Sequence, residues 1–181
     1  MHNYLPKFYH FVDNLNIKNI KKLNNKVAII YRNYEKKPKE NDIIKFKNFC
    51  KTNNKKFIIS YYYDLARKHK LDGLYIPAFD KKLKFSINRN YNNFILIGSA
   101  HNIKEIRVKE KQGVHLIFLS PLFKSKKSNR PLGLYRYNLL AKQTKLPTIA
   151  LGGINPINKK FLKIINTKGF ASISFFKNIK N

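Results

Sequence analysis

Eight short runs of apolar, strand-favouring residues, separated by longer Lys-rich segments, constrain this chain more than any other feature. The runs are Phe8–Val12, Val27–Tyr31, Phe57–Ser60, Gly73–Ile76, Phe94–Gly98, His115–Ser120, Thr148–Leu151 and Phe170–Phe175. Most are continuously apolar rather than alternating, as expected of a strand buried on both faces. Such strands form parallel sheets, with helices crossing over between them. Helices are expected at Leu15–Leu23, capped by Asp13 or Asn14, and at Lys39–Thr52, which turns Ile43, Ile44, Phe46, Phe49 and Cys50 toward one side. A third, His101–Gln112, ends at Gly113, a good stop signal. Leu132–Thr144 and Ile157–Thr167 complete the set, whereas Pro77–Asn93 holds no full helical pattern. Eight parallel strands fit a closed barrel better than an open sheet. The expected fold is α/β, a compact (β/α)8 TIM barrel, with residues 1–181 as a single domain. The chain is short for that architecture, which typically takes about 250 residues.

Charge narrows the function less than it first promises. A net charge of +29 and a pI near 10.2 point toward nucleic acid. The lysines are scattered through every segment, however, among many Asn, Ile, Tyr and Phe, and no RNA- or DNA-binding motif is present. The expectation is no specific nucleic-acid partner, with non-specific attraction of anionic substrates and polyanions. Cys50 is the only cysteine, which excludes internal disulfides and a cysteine-based zinc cluster. No apolar stretch approaches ~18 residues, so no membrane span is expected, and Met1–Pro6 lacks a signal-peptide layout. The chain reads as soluble and cytoplasmic.

The seventh run carries the clearest functional signal. Pro147-Thr148-Ile149-Ala150-Leu151 ends in Gly152-Gly153, with a helix start expected near Asn155-Pro156. Two glycines at a strand end let backbone N–H groups close on an anion. A helix opening just beyond would add free N–H groups and the positive end of its dipole. Loops after strands 7 and 8 are the usual phosphate site of this barrel. An ordinary tight turn is the other reading.

From Phe94 to Ile173 the order of motifs resembles the thiamine phosphate synthase family and its TenI tautomerase relatives. The motifs are Ile97-Gly98-Ser99-Ala100-His101, Phe118-Leu119-Ser120-Pro121-Leu122-Phe123, Pro131-Leu132-Gly133-Leu134, Leu146–Ile154 and Gly169-Phe170-Ala171. Phe8–Asp13, Arg32 and Asp72–Pro77 extend the likeness toward the N-terminus. The resemblance implies a small phosphorylated heterocycle as substrate: a thiazole phosphate, and in the synthases also an aminopyrimidine diphosphate with Mg²⁺. It places Arg32, Ser99, Ser125 and Lys127 on substrate. Gly152 and Gly153 match the thiazole-phosphate loop, completed by backbone N–H groups at Phe176 and Lys177, where the Lys177 side chain adds a cation.

The chain departs from the synthase pattern around the diphosphate. The family's Gln-x-Arg-x-Lys stretch appears as Ile30-Tyr31-Arg32-Asn33-Tyr34, and only the arginine remains. Ser60-Tyr61 replaces the Asn-Asp pair after the third strand. Asp80 is the one candidate magnesium carboxylate, preceded by Ala78-Phe79 instead of Gln-Glu. Ser125-Lys126-Lys127-Ser128 matches the Thr-x-Thr-Lys loop loosely. A diphosphate leaving with Mg²⁺ needs hard oxygen ligands and converging cations. Lys124, Lys126, Lys127 and Arg130 replace metal charge, or they form a solvated loop.

In the tautomerase relatives the histidine of the Ser-x-His motif is an acid/base, and the resemblance gives that role to His101. Imidazole suits it, with a pKa near neutrality and two distinct nitrogens. Ser99 holds ligand or orients His101. His2, His10, His69 and His115 lack such a context, and Tyr61, Tyr62 and Tyr63 form either an aromatic lid or a filled pocket. Three functions follow: a thiamine-biosynthesis enzyme of the family, a metal-independent tautomerase using His101, or a non-catalytic barrel that binds a phosphorylated ligand.

Overall fold

The computed structural model describes residues 5–83, 94–125 and 129–177. Eight parallel strands close into a barrel in sequence order: β1 (Phe8–Val12), β2 (Val27–Tyr31), β3 (Phe57–Ser60), β4 (Gly73–Ile76), β5 (Ile95–Ala100), β6 (Leu116–Leu119), β7 (Thr148–Leu151) and β8 (Phe170–Ser172). The seam is sealed where Phe8, Tyr9 and His10 pair with Phe170, Ala171 and Ser172. The strands are mostly apolar because their residues alternate between two buried layers, with His10, Ser60, Ser99, Thr148 and Ser172 as buried polar exceptions. Tyr9, Phe11, Ala28, Ile30, Ile58, Tyr75, Ile95, Ile97, Leu116, Phe118, Ile149, Leu151 and Ala171 fill the lumen. Their neighbours, such as Ile29, Ile59, Leu74, Leu96, Ile117 and Ala150, face the outer layer. Within the lumen Phe118 meets Tyr9 edge-on at 4.9 Å and Tyr75 at 5.6 Å, and Phe11 lies 5.3 Å from Tyr75. Burying an aromatic side chain of this size contributes about 1.5–3 kcal/mol, so these rings are a large part of what closes the barrel.

The outer layer is thinner than a full set of helices. It holds α1 (Glu40–Thr52), α2 (Tyr63–Lys68), α3 (Ile103–Lys111) and α4 (Gly133–Lys142). After β1 and β7 the expected helices are 3-10 turns instead, Ile17–Asn19 and Asn158–Ile164. The first is short because asparagines capture the backbone. Asn14 Oδ1 accepts from Asn16 N and Asn16 Oδ1 from Lys18 N, so the cap is Asn16 rather than Asp13 or Asn14. The eighth strand also ends early, at Ser172, whose hydroxyl accepts from Phe175 N and turns the chain into a 3-10 turn at Phe175–Lys177.

After β4 the described chain, Pro77–Leu83, forms no helix and opens with a turn closed by Asp80 N donating to Pro77 O at 3.1 Å. Lys109 of α3 is fully buried and its Nζ donates to the carbonyls of Pro77 and Asp80, both at 2.7 Å. Gln112 Nε2 donates to the carbonyls of Asp80 and Lys82. Gly98 makes room for the lysine stem: a Cβ there would meet Lys109 Cδ at 2.8 Å. No helix among the described residues is long and apolar enough to cross a membrane.

Candidate functional site

The C-terminal ends of the strands form the candidate site, because the strand-to-helix loops converge there. Inward alternation carries one residue of each strand to this rim. On β2 the inward series Ala28, Ile30 ends in Arg32, and on β5 Ile95, Ile97 ends in Ser99. The Arg32 guanidinium lies 4.5 Å above the Phe11 ring, and its backbone N–H is fixed by Val12 O at 2.8 Å. Ser99 is buried, and both it and Arg32 approach the Tyr75 hydroxyl. Burial pushes that hydroxyl up to about 12, partly offset by Ser99 and Arg32. Arg32, Tyr75 and Ser99 therefore form the polar floor of the mouth. An open cleft of about 600 Å³ beside it is lined by Phe11, Asp13, Arg32, Tyr34, Glu35 and Ile173. A second cleft, of about 540 Å³, opens at the opposite end of the barrel around Leu5, Lys7, Leu116 and Lys168, away from these residues.

Gly152 and Gly153 stand at the end of β7 with φ of 99° and 68°, a region that favours glycine. They also pack against the loop after β6. A Cβ on Gly152 would meet Pro121 at 2.8 Å, and one on Gly153 the Lys124 and Phe123 carbonyl oxygens at 2.5 and 2.6 Å. Leu122 N donates to Leu151 O and Phe123 N to Gly152 O, which ties the two loops together. The N–H groups of Gly153 and Ile154 take no acceptor among the described residues. The expected helix start beyond them is absent. Asn155 Oδ1 accepts from both Ile157 N and Asn158 N, and a 3-10 turn follows, so no helix N-terminus adds its free N–H groups to the glycine turn. Asn158 Nδ2 donates to Gly153 O and holds that turn.

Beyond β8, which pairs with β7 through Phe170 and Ala171, the backbone of Phe176 and Lys177 lies in the 3-10 turn. The Phe176 ring is buried, stacked on Phe170 at 5.5 Å and 5.6 Å from His10. It packs as core, leaving only its backbone for a ligand. Ser125 is partly buried in the loop after β6. Lys127 lies outside the described residues.

His101 follows β5 directly and is half exposed. Glu105 Oε2 accepts from its backbone N–H at 2.7 Å and lies 2.8 Å from its Nδ1. An ionised carboxylate only accepts, so the proton sits on Nδ1 and the neutral ring keeps its lone pair on Nε2. The same carboxylate belongs to the start of α3: Asn102 Oδ1 accepts from Glu105 N, and Asn102 Nδ2 donates to Glu105 Oε1. The helix cap thus doubles as the histidine's orienting group. This partner was readable in principle, since Asn102-x-x-Glu105 is a capping-box spacing that places Glu105 at i+4 from His101.

The Asp80 backbone carbonyl accepts from Lys109 Nζ and Gln112 Nε2, while its Oδ1 accepts from Lys82 N. Among the described residues no three His, Cys, Asp or Glu side chains converge as metal ligands. In place of carboxylates, Tyr34, Tyr61 and Phe79 gather over β2–β4, a cluster that joins loops far apart in sequence.

This geometry has relatives. The family model described as "Thiamine monophosphate synthase" (TMP-TENI) matches residues 19–176. A "Putative thiamine-phosphate synthase 2" of Aquifex aeolicus is 28% identical over 184 residues, covering 95% of this chain and 98% of the relative. A "Thiamine-phosphate synthase" of Prochlorococcus marinus strain AS9601 is 30% identical over 143 residues, or 77% of this chain, which spans only 40% of that longer protein. Among solved structures, the thiamine phosphate pyrophosphorylase of Pyrococcus furiosus superposes with a TM-score of 0.72 at 19% identity, over 93% of this chain and 85% of that one. The match runs from the turn after β1 to the 3-10 turn after β8, and the chain belongs to the thiamine monophosphate synthase family.

Proposed function

We propose that this chain binds a phosphorylated thiazole at the barrel mouth and acts on it in thiamine biosynthesis, without requiring Mg²⁺. The phosphate is anchored by the backbone N–H groups of Gly153 and Ile154 together with the loop at Phe176 and Lys177. The observation that carries the reading is the glycine turn: both φ angles are positive, and its N–H groups stay open while its carbonyls are tied down. Backbone donors hold a phosphate without a titrating side chain. His101 supplies acid/base chemistry from Nε2, with Glu105 fixing the tautomer. Asp80 is the one candidate magnesium carboxylate, its Oδ1 already accepts from Lys82 N, and a single carboxylate is a poor magnesium ligand set. A metal-independent proton transfer on the anchored heterocycle is therefore better supported than departure of a diphosphate.

The full synthase reaction is the second reading, favoured by Arg32, which stands at the mouth where the resemblance puts the diphosphate. Turnover assays with both synthase substrates, with and without Mg²⁺, separate the two, and efficient Mg²⁺-dependent coupling would overturn the metal-free reading. The anchor is tested by Gly153→Asp, which adds negative charge and drives a Cβ against the Phe123 and Lys124 carbonyls. Thiazole phosphate affinity should fall at least about tenfold, given that a hydrogen bond to a charged group is worth ~1.5–3 kcal/mol. Folding is checked by circular dichroism, and unchanged affinity in a folded variant sinks the anchor. A barrel that binds the phosphate yet turns over neither substrate set would be a binding protein only.

A further inference from the structure

No aspartate or glutamate follows Glu110: the stretch from Lys111 to Asn181 carries 14 Lys and Arg and no acid to offset them. Strand order around the barrel follows chain order, so the described part of this stretch forms one sector. It holds β6 to β8, α4 and the 3-10 turn after β7. An asymmetry of sequence thus becomes a cationic flank. Apolar side chains project from the same flank. Ile157 is 80% exposed, Tyr135 76% and Ile164 65%, with Leu139 and Phe161 also open to water. On α4, Tyr135 and Leu139 stand one turn apart on one face. Residues three apart eclipse in a 3-10 helix, which aligns Phe161 with Ile164. Asn138 of α4 joins the two elements: its Nδ2 donates to Ile164 O at 3.4 Å, and its Oδ1 accepts from Asn166 N at 2.7 Å. Arg136, Lys142, Lys159, Lys160 and Lys163, on the same two elements, are all exposed.

We propose that this flank binds the surface of a bilayer containing anionic phospholipid, with the apolar side chains in the interface and the cations on headgroup phosphates. A contiguous exposed apolar patch marks an interaction surface more often than scattered single residues do. A nucleic acid would meet the cations but has no use for isoleucines as exposed as Ile157 and Ile164. A second copy of the chain would bring the same cations into a two-fold contact, like charge against like. Side chains that project this far are not the walls of a groove, and they need a soft apolar medium that closes around them. A bilayer interface supplies that medium, and it takes the amphipathic Tyr135 ring at headgroup depth. Its anionic lipids attract the basic side chains, whose stems lie along apolar surface while their charges stay at the headgroups. Lys160 already has this form, with its Nζ 5.4 Å from the centre of the Phe161 ring. The phosphate anchor at the mouth plays no part in this binding.

Co-sedimentation with vesicles tests the proposal, using neutral phosphatidylcholine alone and with about a third phosphatidylglycerol. Wild type should bind the anionic vesicles and leave the neutral ones. Ile157→Ser with Ile164→Ser keeps the charge and should weaken binding on the order of tenfold. Lys160→Gln with Lys163→Gln should weaken it about fivefold per cation. The same pair of changes on α1, across the barrel, Lys45→Gln with Lys51→Gln, should weaken it far less. All six side chains are exposed, so the variants should fold, and matching thermal midpoints check this. Ile157→Ser alone decides should the double isoleucine variant misfold. Failure to bind anionic vesicles, or equal binding to neutral ones, overturns the proposal. Binding that ignores the isoleucines, or responds equally to both lysine pairs, also overturns it, because any strongly basic protein would adhere in that way. Sedimentation velocity covers the second copy: a dimer dissolved by the isoleucine changes, without vesicle binding, would assign the face to self-association instead.

Discussion

Glu105 receives two donors from His101, its backbone N–H and its ring, while also closing the cap of α3. This economy lets the side chain be changed without loosening the helix start, because the backbone donor stays. His101→Asn should therefore fold normally and bind thiazole phosphate nearly as wild type does. It should lose roughly 10²–10⁴-fold in any proton-transfer rate, the usual contribution of a general acid/base. Full activity in that variant would remove the proposed base. A second residue-scale prediction concerns Lys109. Burial pulls its ammonium down to about 8 from 10.5, against opposing pulls from Asp80 and Glu105. Below pH 8 the lysine is charged in folded and unfolded chains alike, and the folded state carries the dehydrated charge. Above about pH 8 the folded chain releases that proton while the unfolded chain keeps it to about pH 10.5, so unfolding takes up a proton and stability rises with pH. The window is best read below pH 10, where unfolded tyrosines begin to ionise. Urea midpoints at pH 7.5 and 9.5 should rise in wild type relative to Lys109→Met, and parallel behaviour of the two proteins would refute the assignment.

At the scale of elements, the strands were legible because a continuous apolar run has few alternatives once its flanks are polar. Five runs, Phe8–Val12, Val27–Tyr31, Phe57–Ser60, Gly73–Ile76 and Thr148–Leu151, match the observed strands end to end. Helices were less legible where side chains compete for the backbone. Asn14 and Asn16 break the segment after β1, and Asn155 takes the N–H groups that a helix after β7 would have presented. α2 escaped notice because six residues are too few to display a period, and it opens on the third of three consecutive tyrosines. The outer layer pays for the shortfall in exposed apolar surface: Tyr135 and Leu139 on α4, and Phe161 and Ile164 on the turn after β7, remain open to water. The site divides along the same line. Gly152, Gly153 and His101 could be found because each belongs to a short local motif. The aromatic cluster could not, since Tyr34, Tyr61 and Phe79 meet only once three loops are folded onto one rim.

At the scale of the whole molecule the charge is the property still to be explained. The chain carries 38 Lys and Arg against 9 Asp and Glu, and three of those acids, Glu40, Asp72 and Glu110, already sit in ion pairs with lysine or arginine. Most of the described lysines and arginines are exposed and spread along the chain, whereas Lys55 and Lys109 are buried. Two consequences follow from that distribution. Self-repulsion opposes the compact state, so added salt should stabilise the protein by screening it. Any polyanion binding should come from counterion release alone, with affinity for single strands falling as about −0.7 per neutralised phosphate in log–log terms. Titrations with 20-nucleotide strands of contrasting sequence should give the same affinity at 50 mM salt and lose it together by 200 mM. Selectivity for one sequence that persists at 150 mM salt would show that the lysines are arranged for readout, and the charge would then belong to the function rather than to the surface.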